Sequence, residues 1–158
     1  MKLKLWHVLF CLPLALCCGC CDGHIYNRME RISGEEGWCD TIWFSPVLDD
    51  LQGHYTINFY AQFSPDLGED DTALMQVGLL FTAPDSLQYS DRVELPLSLT
   101  ENGYVAEYKN GTVSFRWPYR KNISVKCAGG WQIALYPIEK GNSVYKNVRA
   151  VALSIEKE

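Results

Sequence analysis

The chain has few of the residues on which catalysis at neutral pH usually depends. Its 158 residues include three histidines, and no two of them have the spacing of a zinc-binding HExxH motif. The sequence contains no GxSxG nucleophile elbow, no phosphate-binding P-loop and no GxGxxG dinucleotide fingerprint. These absences argue against the common hydrolases, nucleotide-binding enzymes and nicotinamide-dependent enzymes. We therefore expect no enzymatic activity and no cofactor.

The chain also has fewer basic residues than acidic ones. The chain has 14 lysine and arginine residues against 19 aspartate and glutamate residues, which gives a formal net charge of -5 at pH 7. The basic residues are scattered along the sequence rather than gathered in one patch. A protein with this charge is poorly suited to nucleic acid or to an anionic membrane surface as its main partner. No nucleic acid partner is expected.

Acidic residues are concentrated in one segment, where Asp66, Glu69, Asp70 and Asp71 follow Pro65. Their carboxylate oxygens could surround a calcium ion, which takes roughly six to eight oxygen ligands, but the spacing does not match an EF-hand loop. We interpret the segment as a solvated loop whose charge discourages aggregation, and we predict no metal site.

Long apolar runs are scarce, and the one at the start of the chain is short. Lys2 and Lys4 precede an apolar segment, residues 5–16, which contains Pro13. A membrane-spanning helix needs about 20 apolar residues, so this segment is too short to cross a bilayer. A basic start followed by a short apolar core is typical of a signal peptide, which is removed from the mature protein.

The end of this signal contains a candidate site of lipid attachment. Gly19 supplies the small residue that a bacterial lipoprotein signal carries in front of the acylated cysteine, here Cys20. The sequence predicts a lipoprotein signal peptide over residues 1–19 and lipidation of Cys20, with Cys21 as the rival acceptor and plain secretion as the alternative fate. Each buried methylene of an acyl chain contributes about 0.8 kcal/mol, so more than one chain anchors a protein permanently.

The rest of the chain is long enough for one domain with its own hydrophobic core. Residues 22–36 are polar and show no sustained hydrophobic period. We therefore predict that residues 20–36 are an acylated N-terminus with a polar tether, and that the folded domain covers residues 37–158.

Alternation of apolar and polar residues with a period of two dominates the sequence after Gly37, and this pattern is typical of half-buried strands. The clearest case is residues 55–63, where Tyr55, Ile57 and Phe59 share one face. Helical periodicity is not convincing anywhere. Further strands are predicted at residues 39–44, 73–82, 113–117, 131–136 and 151–155, with weaker ones at 91–97, 104–108 and 123–127.

Turn residues agree with this division into strands. The dipeptides Asn102-Gly103 and Asn110-Gly111 favour the positive φ angles that tight hairpins need. Eight or nine strands with so little helix indicate an all-β fold, and we expect an antiparallel β-sandwich. A small closed β-barrel is the alternative.

Two cysteines lie inside the predicted domain. A disulfide between Cys39 and Cys127 would close a long loop and contribute about 4 to 5 kcal/mol on the chain-entropy model. It requires Cα atoms within about 7 Å of each other. The alternative is a pair of buried, unpaired thiols that behave as small apolar residues.

Aromatic side chains offer the other candidate site. Tyr60, Tyr119 and Tyr136 lie on or beside the polar faces of their predicted strands, where exposed rings can stack against sugars or other planar ligands. Trp117 and Trp131 share faces with apolar neighbours, so we assign both to the core. The three tyrosines are the candidate ligand-contact residues.

The order of segments resembles the GldH-type lipoproteins, a family associated with gliding motility in the Bacteroidetes group. The resemblance starts with the lipidated cysteine and covers most of the mature chain. It rests on Gly37-Trp38 with Asp40, on DRVELPL at 91–97, on ENGY at 101–104, on GWQIAL at 130–135 and on NVRAVALSIEK at 147–157.

This resemblance implies a β-sandwich lipoprotein of the cell envelope, with a non-catalytic accessory role in gliding or its associated secretion machinery and no catalytic residues to transfer. We expect an interaction protein held at the membrane by its acyl chains, facing the periplasm rather than the cell surface, with an envelope protein as partner. The alternative function is a lipid-anchored module that binds a glycan or another nutrient.

Overall fold

The computed structural model describes residues 23–65, 74–97, 105–109, 111–138 and 143–158, and most of them lie in strands. A single helical turn, α1 (Ser143–Lys146), precedes the last strand. The strands are β1 (His24–Arg31), β2 (Ile42–Phe44), β3 (Val47–Leu48), β4 (Tyr55–Phe63), β5 (Leu74–Thr82), β6 (Gln88–Pro96), β7 (Val105–Lys109), β8 (Thr112–Ile123), β9 (Gly129–Gly130), β10 (Gln132–Pro137) and β11 (Val148–Lys157).

These strands form two main sheets. The five-stranded sheet has the order β1-β11-β4-β8-β7, the four-stranded sheet has the order β2-β10-β5-β6, and β3 pairs with β9 in a small separate ladder. All the pairings are antiparallel. Residues of both main sheets share one hydrophobic core. The predicted antiparallel β-sandwich is confirmed, and the described strands do not close into a barrel.

The core follows from the period of two in the central strands. Along β4, the residues Ile57, Phe59 and Phe63 are almost completely buried, and Leu79 of β5 and Ile133 of β10 face them from the other sheet. Burying one such side chain contributes about 1.5 to 3 kcal/mol, so a few facing residues hold the two sheets together.

Trp117 lies in this core as predicted, with 1% of its surface exposed. Its ring stacks on Phe115 with the centroids 5.4 Å apart, and its indole N–H donates to the carbonyl oxygen of Pro96 at 2.9 Å. This hydrogen bond satisfies the one polar group of the buried indole.

Sequence periodicity predicted the bounds of buried strand segments better than those of solvent-exposed segments. The bounds of β4 agree with the prediction, whereas β8 continues six residues beyond the predicted end at Trp117. Its added residues include the exposed Arg120 and Lys121, which break the alternation. Residues 123–127 are not a separate strand, because they lead from the end of β8 into the loop before β9.

The predicted tether is wrong over residues 24–31, because these residues form β1 and pair with β11 from Tyr26 opposite Ile155 to Arg31 opposite Ala150. β1 is an edge strand, and most of its side chains are exposed. Backbone hydrogen bonds hold it in place without apolar alternation, so no periodic signal marks it. The predicted signal peptide, Cys20 and the acidic loop lie outside the described residues.

Cys39 and Cys127 are free thiols in the structure, so the disulfide alternative is not realised. Cys127 lies beside Trp131 at the start of β10, whereas Cys39 precedes Ile42, which pairs with Leu135 towards the end of β10. Trp131 and Leu135 are four residues apart along the chain, or about 13 Å in an extended strand, so the two cysteines lie near opposite ends of β10. That distance is far beyond the reach of a disulfide.

The Cys127 thiol instead contacts Asp85, with its Sγ 3.0 Å from a carboxylate oxygen. This hydrogen bond, together with burial and the negative charge, raises the pKa of Cys127 above that of an ordinary thiol. Because the thiolate is the reactive form of cysteine, the contact makes Cys127 a poor nucleophile.

A tight turn at Gly37 packs against α1 at the end of the sandwich where β11 begins, opposite the end where Gly23 bonds to Lys157. Gly37 has φ +72°, and a Cβ built on it would lie 2.2 Å from the carbonyl oxygen of Tyr145. The next residue, Trp38, donates its backbone N–H to that same oxygen at 2.9 Å. The tyrosine hydroxyl in turn donates to the carbonyl oxygen of Gln76 on β5 at 2.6 Å. The turn therefore ties the segment before β2 to both sheets.

We expect Gly37→Ala to destabilise the fold by about 1 to 3 kcal/mol more than Gly111→Ala, because overpacking typically has a cost of that size. Gly111 has the same φ of +72° but open space around its Cα, so it is a matched control for backbone strain alone. Urea unfolding of both variants measures the difference. Equal free energies of unfolding would show that the close approach at Gly37 does not affect stability.

Candidate functional site

An apolar cleft lies between the two sheets at the end where β8 stops and β10 begins. Its volume is about 360 Å³. Ile57 and Ile123 line it from the five-stranded sheet, Phe81 and Ile133 from the four-stranded sheet, and Leu48 from β3. We call this space the inter-sheet cleft. It has the size and the apolar lining that are typical of small-molecule sites in proteins.

A β-bulge in β8 places Tyr119 in this cleft. Asn58 of β4 lies opposite Pro118, and Ile57 lies opposite Arg120, so Tyr119 is an extra residue without a partner of its own on β4. Bulges of this kind re-aim the side chain of the extra residue and increase the local twist of the sheet.

Tyr119 packs between aromatic rings from both sheets. Its ring is stacked on Phe81 with the centroids 5.8 Å apart and the planes 10° apart, and it lies 5.0 Å from Phe59. Offset and tilted pairs of this kind contribute about 0.5 to 1.5 kcal/mol beyond the burial of their area. The ring is therefore a fixed wall of the cleft.

The hydroxyl of Tyr119 belongs to a small polar cluster with Asp91 and Arg120. It donates to a carboxylate oxygen of Asp91 at 2.7 Å, and a guanidinium nitrogen of Arg120 donates to the same oxygen at 3.1 Å. The guanidinium also lies 5.2 Å from the centroid of the Tyr119 ring, within cation–π range. The three groups satisfy one another at the edge of an apolar space.

These contacts shift all three pKa values away from neutrality. The hydrogen bond from Tyr119 is the main cause of the lowered pKa of Asp91. Burial and then the nearby carboxylate raise the pKa of Tyr119, and its two partners raise the pKa of Arg120. A general acid or base works best with a pKa near the operating pH, so this cluster is arranged for binding and positioning rather than proton transfer.

The mouth of the cleft combines aromatic and basic side chains. Tyr89 is 49% exposed there, and Trp131 is half-buried with its indole N–H donating to the carbonyl oxygen of Cys127 at 3.2 Å. Arg120 and Lys126 also line the space. Trp131 packs partly against the core as predicted, but its remaining surface forms the cleft wall.

The three tyrosines predicted as ligand contacts do not share a surface. Tyr119 lies in the inter-sheet cleft, whereas Tyr60 is on the outer face of the five-stranded sheet, 5.5 Å below the guanidinium of Arg116. Tyr136 is on the outer face of the four-stranded sheet, where its ring covers Gly78 on the neighbouring strand. A single platform built from the three rings is therefore wrong.

A second depression, the outer-face groove, lies beside Tyr60 and has a volume of about 370 Å³. Its floor is polar, because Glu156 accepts hydrogen bonds from Asn58 at 3.2 Å and from Arg116 at 2.6 Å. Asn58 is only 2% exposed. Exposed Lys121 forms part of the rim. These groups pair with one another, so we interpret the groove as a stabilising network of the sheet.

Neither space offers a metal centre. Within residues 23–65, 74–97, 105–109, 111–138 and 143–158, no three histidine, cysteine, aspartate or glutamate side chains are close enough together to hold a metal ion. In the same residues, no helix has both the length and the apolar character needed to cross a membrane.

The cleft was the part of the molecule that sequence reasoning missed. Phe81 and Ile123 appeared to be ordinary strand residues, because their sequence does not show that they lie at an open end of the sandwich. Two local signals mark the irregularity of β8: Pro118, which cannot donate a ladder hydrogen bond, and Asn122, which adopts φ +55°. Together they indicate a bulged strand end.

We expect Tyr119→Phe to raise the pKa of Asp91 towards the ordinary aspartate value of about 3.9. A lowered carboxyl pKa stabilises the folded state above that value, and this contribution disappears as the pH falls through the folded pKa. Stability should therefore fall less steeply between about pH 5 and pH 2 in the variant. Carbon-13 NMR titration of the Asp91 carboxyl group measures the shift directly.

Tyr89→Phe is the matched control, because it removes a hydroxyl from an exposed ring of the same cleft. It should leave the Asp91 titration unchanged. An unchanged titration in Tyr119→Phe as well would contradict the hydrogen bond as the cause.

Comparisons with known proteins give the chain no relative: no family model matches it, and neither a curated protein nor a solved structure matches it significantly.

Proposed function

We propose that this protein is a lipid-anchored, non-catalytic binding protein of the cell envelope, which holds a small apolar ligand in the inter-sheet cleft. The observation that carries the proposal is the apolar cleft itself, which opens at the end of the sandwich where the N-terminus enters. The anchor is proposed to be Cys20, and the accessory role in gliding or its associated secretion machinery rests on the resemblance to the GldH-type lipoproteins.

The position of β1 supports an arrangement close to the membrane. Only three residues separate Cys20 from His24, where β1 begins. An extended chain spans at most about 3.6 Å per residue, so an acylated Cys20 lies within about 14 Å of the folded domain. The anchor would therefore hold the sandwich beside the bilayer rather than at the end of a long tether.

The cleft supports binding rather than chemistry. Its interior is built from buried aliphatic and aromatic residues such as Ile57 and Ile133, and its titratable cluster of Asp91, Tyr119 and Arg120 is internally paired. The pKa of Asp91 is lowered, which is the wrong direction for a general acid at neutral pH. A non-catalytic role is therefore the proposal that these groups favour.

The glycan alternative loses its original support, because Tyr60, Tyr119 and Tyr136 lie on three different surfaces. Sugar hydroxyls also need hydrogen-bonding partners when they are buried. The hydroxyl of Tyr119, which lines the cleft, already bonds to Asp91. An apolar ligand fits this chemistry better than a sugar.

We expect Cys20→Ser to abolish acylation and to move the protein from the membrane pellet to the soluble fraction after cell lysis, because one residue supplies the anchor. Far-ultraviolet circular dichroism should stay unchanged, since Cys20 precedes β1. Cys21→Ser is the matched control and should remain acylated and membrane-bound. If the Cys20→Ser protein keeps its lipid and Cys21→Ser loses it, the anchor is the neighbouring residue, and acylation of both variants would refute a single anchor.

A further inference from the structure

We propose that the ligand of the inter-sheet cleft is a single-chain anionic amphiphile, a hydrocarbon chain that ends in a carboxylate or a similar anionic group. The proposal deepens the binding function proposed above and rests on it. Three properties of the cleft carry the argument: its interior chemistry, the charge at its mouth and its position relative to the N-terminus.

The interior accepts a hydrocarbon chain and rejects a polar body. Leu48, Ile57 and Ile133 are each at most 3% exposed, and aromatic rings complete the walls. Among the described residues, every buried side-chain nitrogen or oxygen already has a hydrogen-bond partner. A ligand hydroxyl placed here would lose its bonds to water without replacement, which costs about 1 to 3 kcal/mol for each group.

The volume limits the occupant to one chain. About 360 Å³ is near the lower end of the range for small-molecule sites, roughly 300 to 1,000 Å³. A lipid with two acyl chains would have to leave one of them in water. A single chain can be buried with its head group at the mouth.

The charged side chains that line the cleft are both basic, although the whole protein is acidic. The residues that line the cleft include two cations, Arg120 and Lys126, and no carboxylate. Arg120 forms an ion pair with Asp91, which does not line the cleft. Lys126 forms no ion pair within the described part of the chain. Lys126 is exposed, so its ammonium group can meet an anionic head group at the point where the chain enters.

One row of residues across the five-stranded sheet connects the cleft to the N-terminus. The carbonyl oxygen of Gly23 accepts a hydrogen bond from the backbone N–H of Lys157 at 2.8 Å, and Lys157 lies opposite Tyr55. Tyr55 lies opposite Ile123, which lines the cleft. Three strand spacings of about 4.8 Å separate the two ends of this row, or about 14 Å.

The end of the sandwich that the proposed anchor holds at the membrane is therefore also the end where the cleft opens. An amphiphile that leaves the bilayer surface would reach the mouth without crossing open water. The same geometry explains why an apolar opening of this kind can be retained on an otherwise polar domain, since a bound chain covers it.

Isothermal titration calorimetry tests the proposal on the purified chain with Cys20→Ser, which removes its own acylation site. The probes are laurate, dodecanol and dodecyltrimethylammonium, which share chain length and differ in charge; the two ions are used below their micelle concentrations and dodecanol below its solubility limit. We expect one laurate per protein, weaker binding of dodecanol and the weakest binding of the cation. Equal affinity for all three would overturn the anionic specificity.

Lys126→Glu should weaken laurate binding at least about tenfold, a change of roughly 1.4 kcal/mol, while leaving dodecanol binding nearly unchanged. Lys121→Glu makes the same charge change at another exposed lysine, on the rim of the outer-face groove, and is the matched control. It should bind laurate like the parent chain. An equal loss in both variants would show a general effect of net charge and would overturn the assignment to the mouth of the cleft.

Trp131→Ala tests the apolar wall separately. Removing the half-buried ring should lower the affinity for laurate and for dodecanol by the same factor, because it changes the apolar wall that contacts the hydrocarbon chain and leaves the charge at the mouth unchanged. Urea unfolding of each variant checks that the fold is retained. Unchanged binding of both probes would place the chain outside the cleft.

The outcomes separate this inference from the proposed function. Binding of dodecanol but not laurate would contradict the anionic ligand and support an apolar binding site. Binding of neither probe would contradict both the anionic ligand and the proposed binding function. Binding of an oligosaccharide such as maltotriose, with no response to laurate, would overturn the amphiphile and restore the glycan alternative.

Discussion

Contact between the inner faces of the two sheets holds this molecule together, and β4 is the strand on which that contact depends. It lies between β11 and β8 in the five-stranded sheet. Its inward residues, such as Phe59, pack against the four-stranded sheet, and its outward residue Asn58 is buried as well. Glu156 accepts a hydrogen bond from Asn58 and thereby satisfies a polar group that would otherwise be costly to bury. A strand buried on both faces fixes the register of its neighbours.

The inter-sheet cleft begins where this regular packing ends. Beyond Trp117, the extra residue Tyr119 interrupts the regular pairing of β8 with β4. The inner faces of the two sheets are separated there by the inter-sheet cleft. Most of the side chains that line the cleft are apolar, like those of the core. Asp91 and Arg120 hold the tyrosine of this bulge in place.

Anchor and cleft reinforce each other in the proposed function. β1 leaves almost no free chain between Cys20 and the sandwich, so the orientation of the domain at a membrane would be restricted by the sheet itself. The end of the molecule that the proposed anchor would hold nearest to the lipid is the end with the apolar opening. At the opposite end, Gly37 and Trp38 line a depression of about 320 Å³, but charged residues such as Arg31 and Asp40 also line it, so it lacks the apolar character of the cleft.

The all-β class, the bounds of β4 and the burial of Trp117 can be read from the amino-acid sequence, because each follows from a local period of two. Tertiary structure alone decided that residues 24–31 form an edge strand, that Cys39 and Cys127 lie at opposite ends of β10, and that Tyr119 faces a cleft. Edge pairing uses backbone groups that every residue carries, so side-chain patterns do not reveal it. Distances between residues far apart in the chain depend on strand order, and local periodicity contains no information on that order.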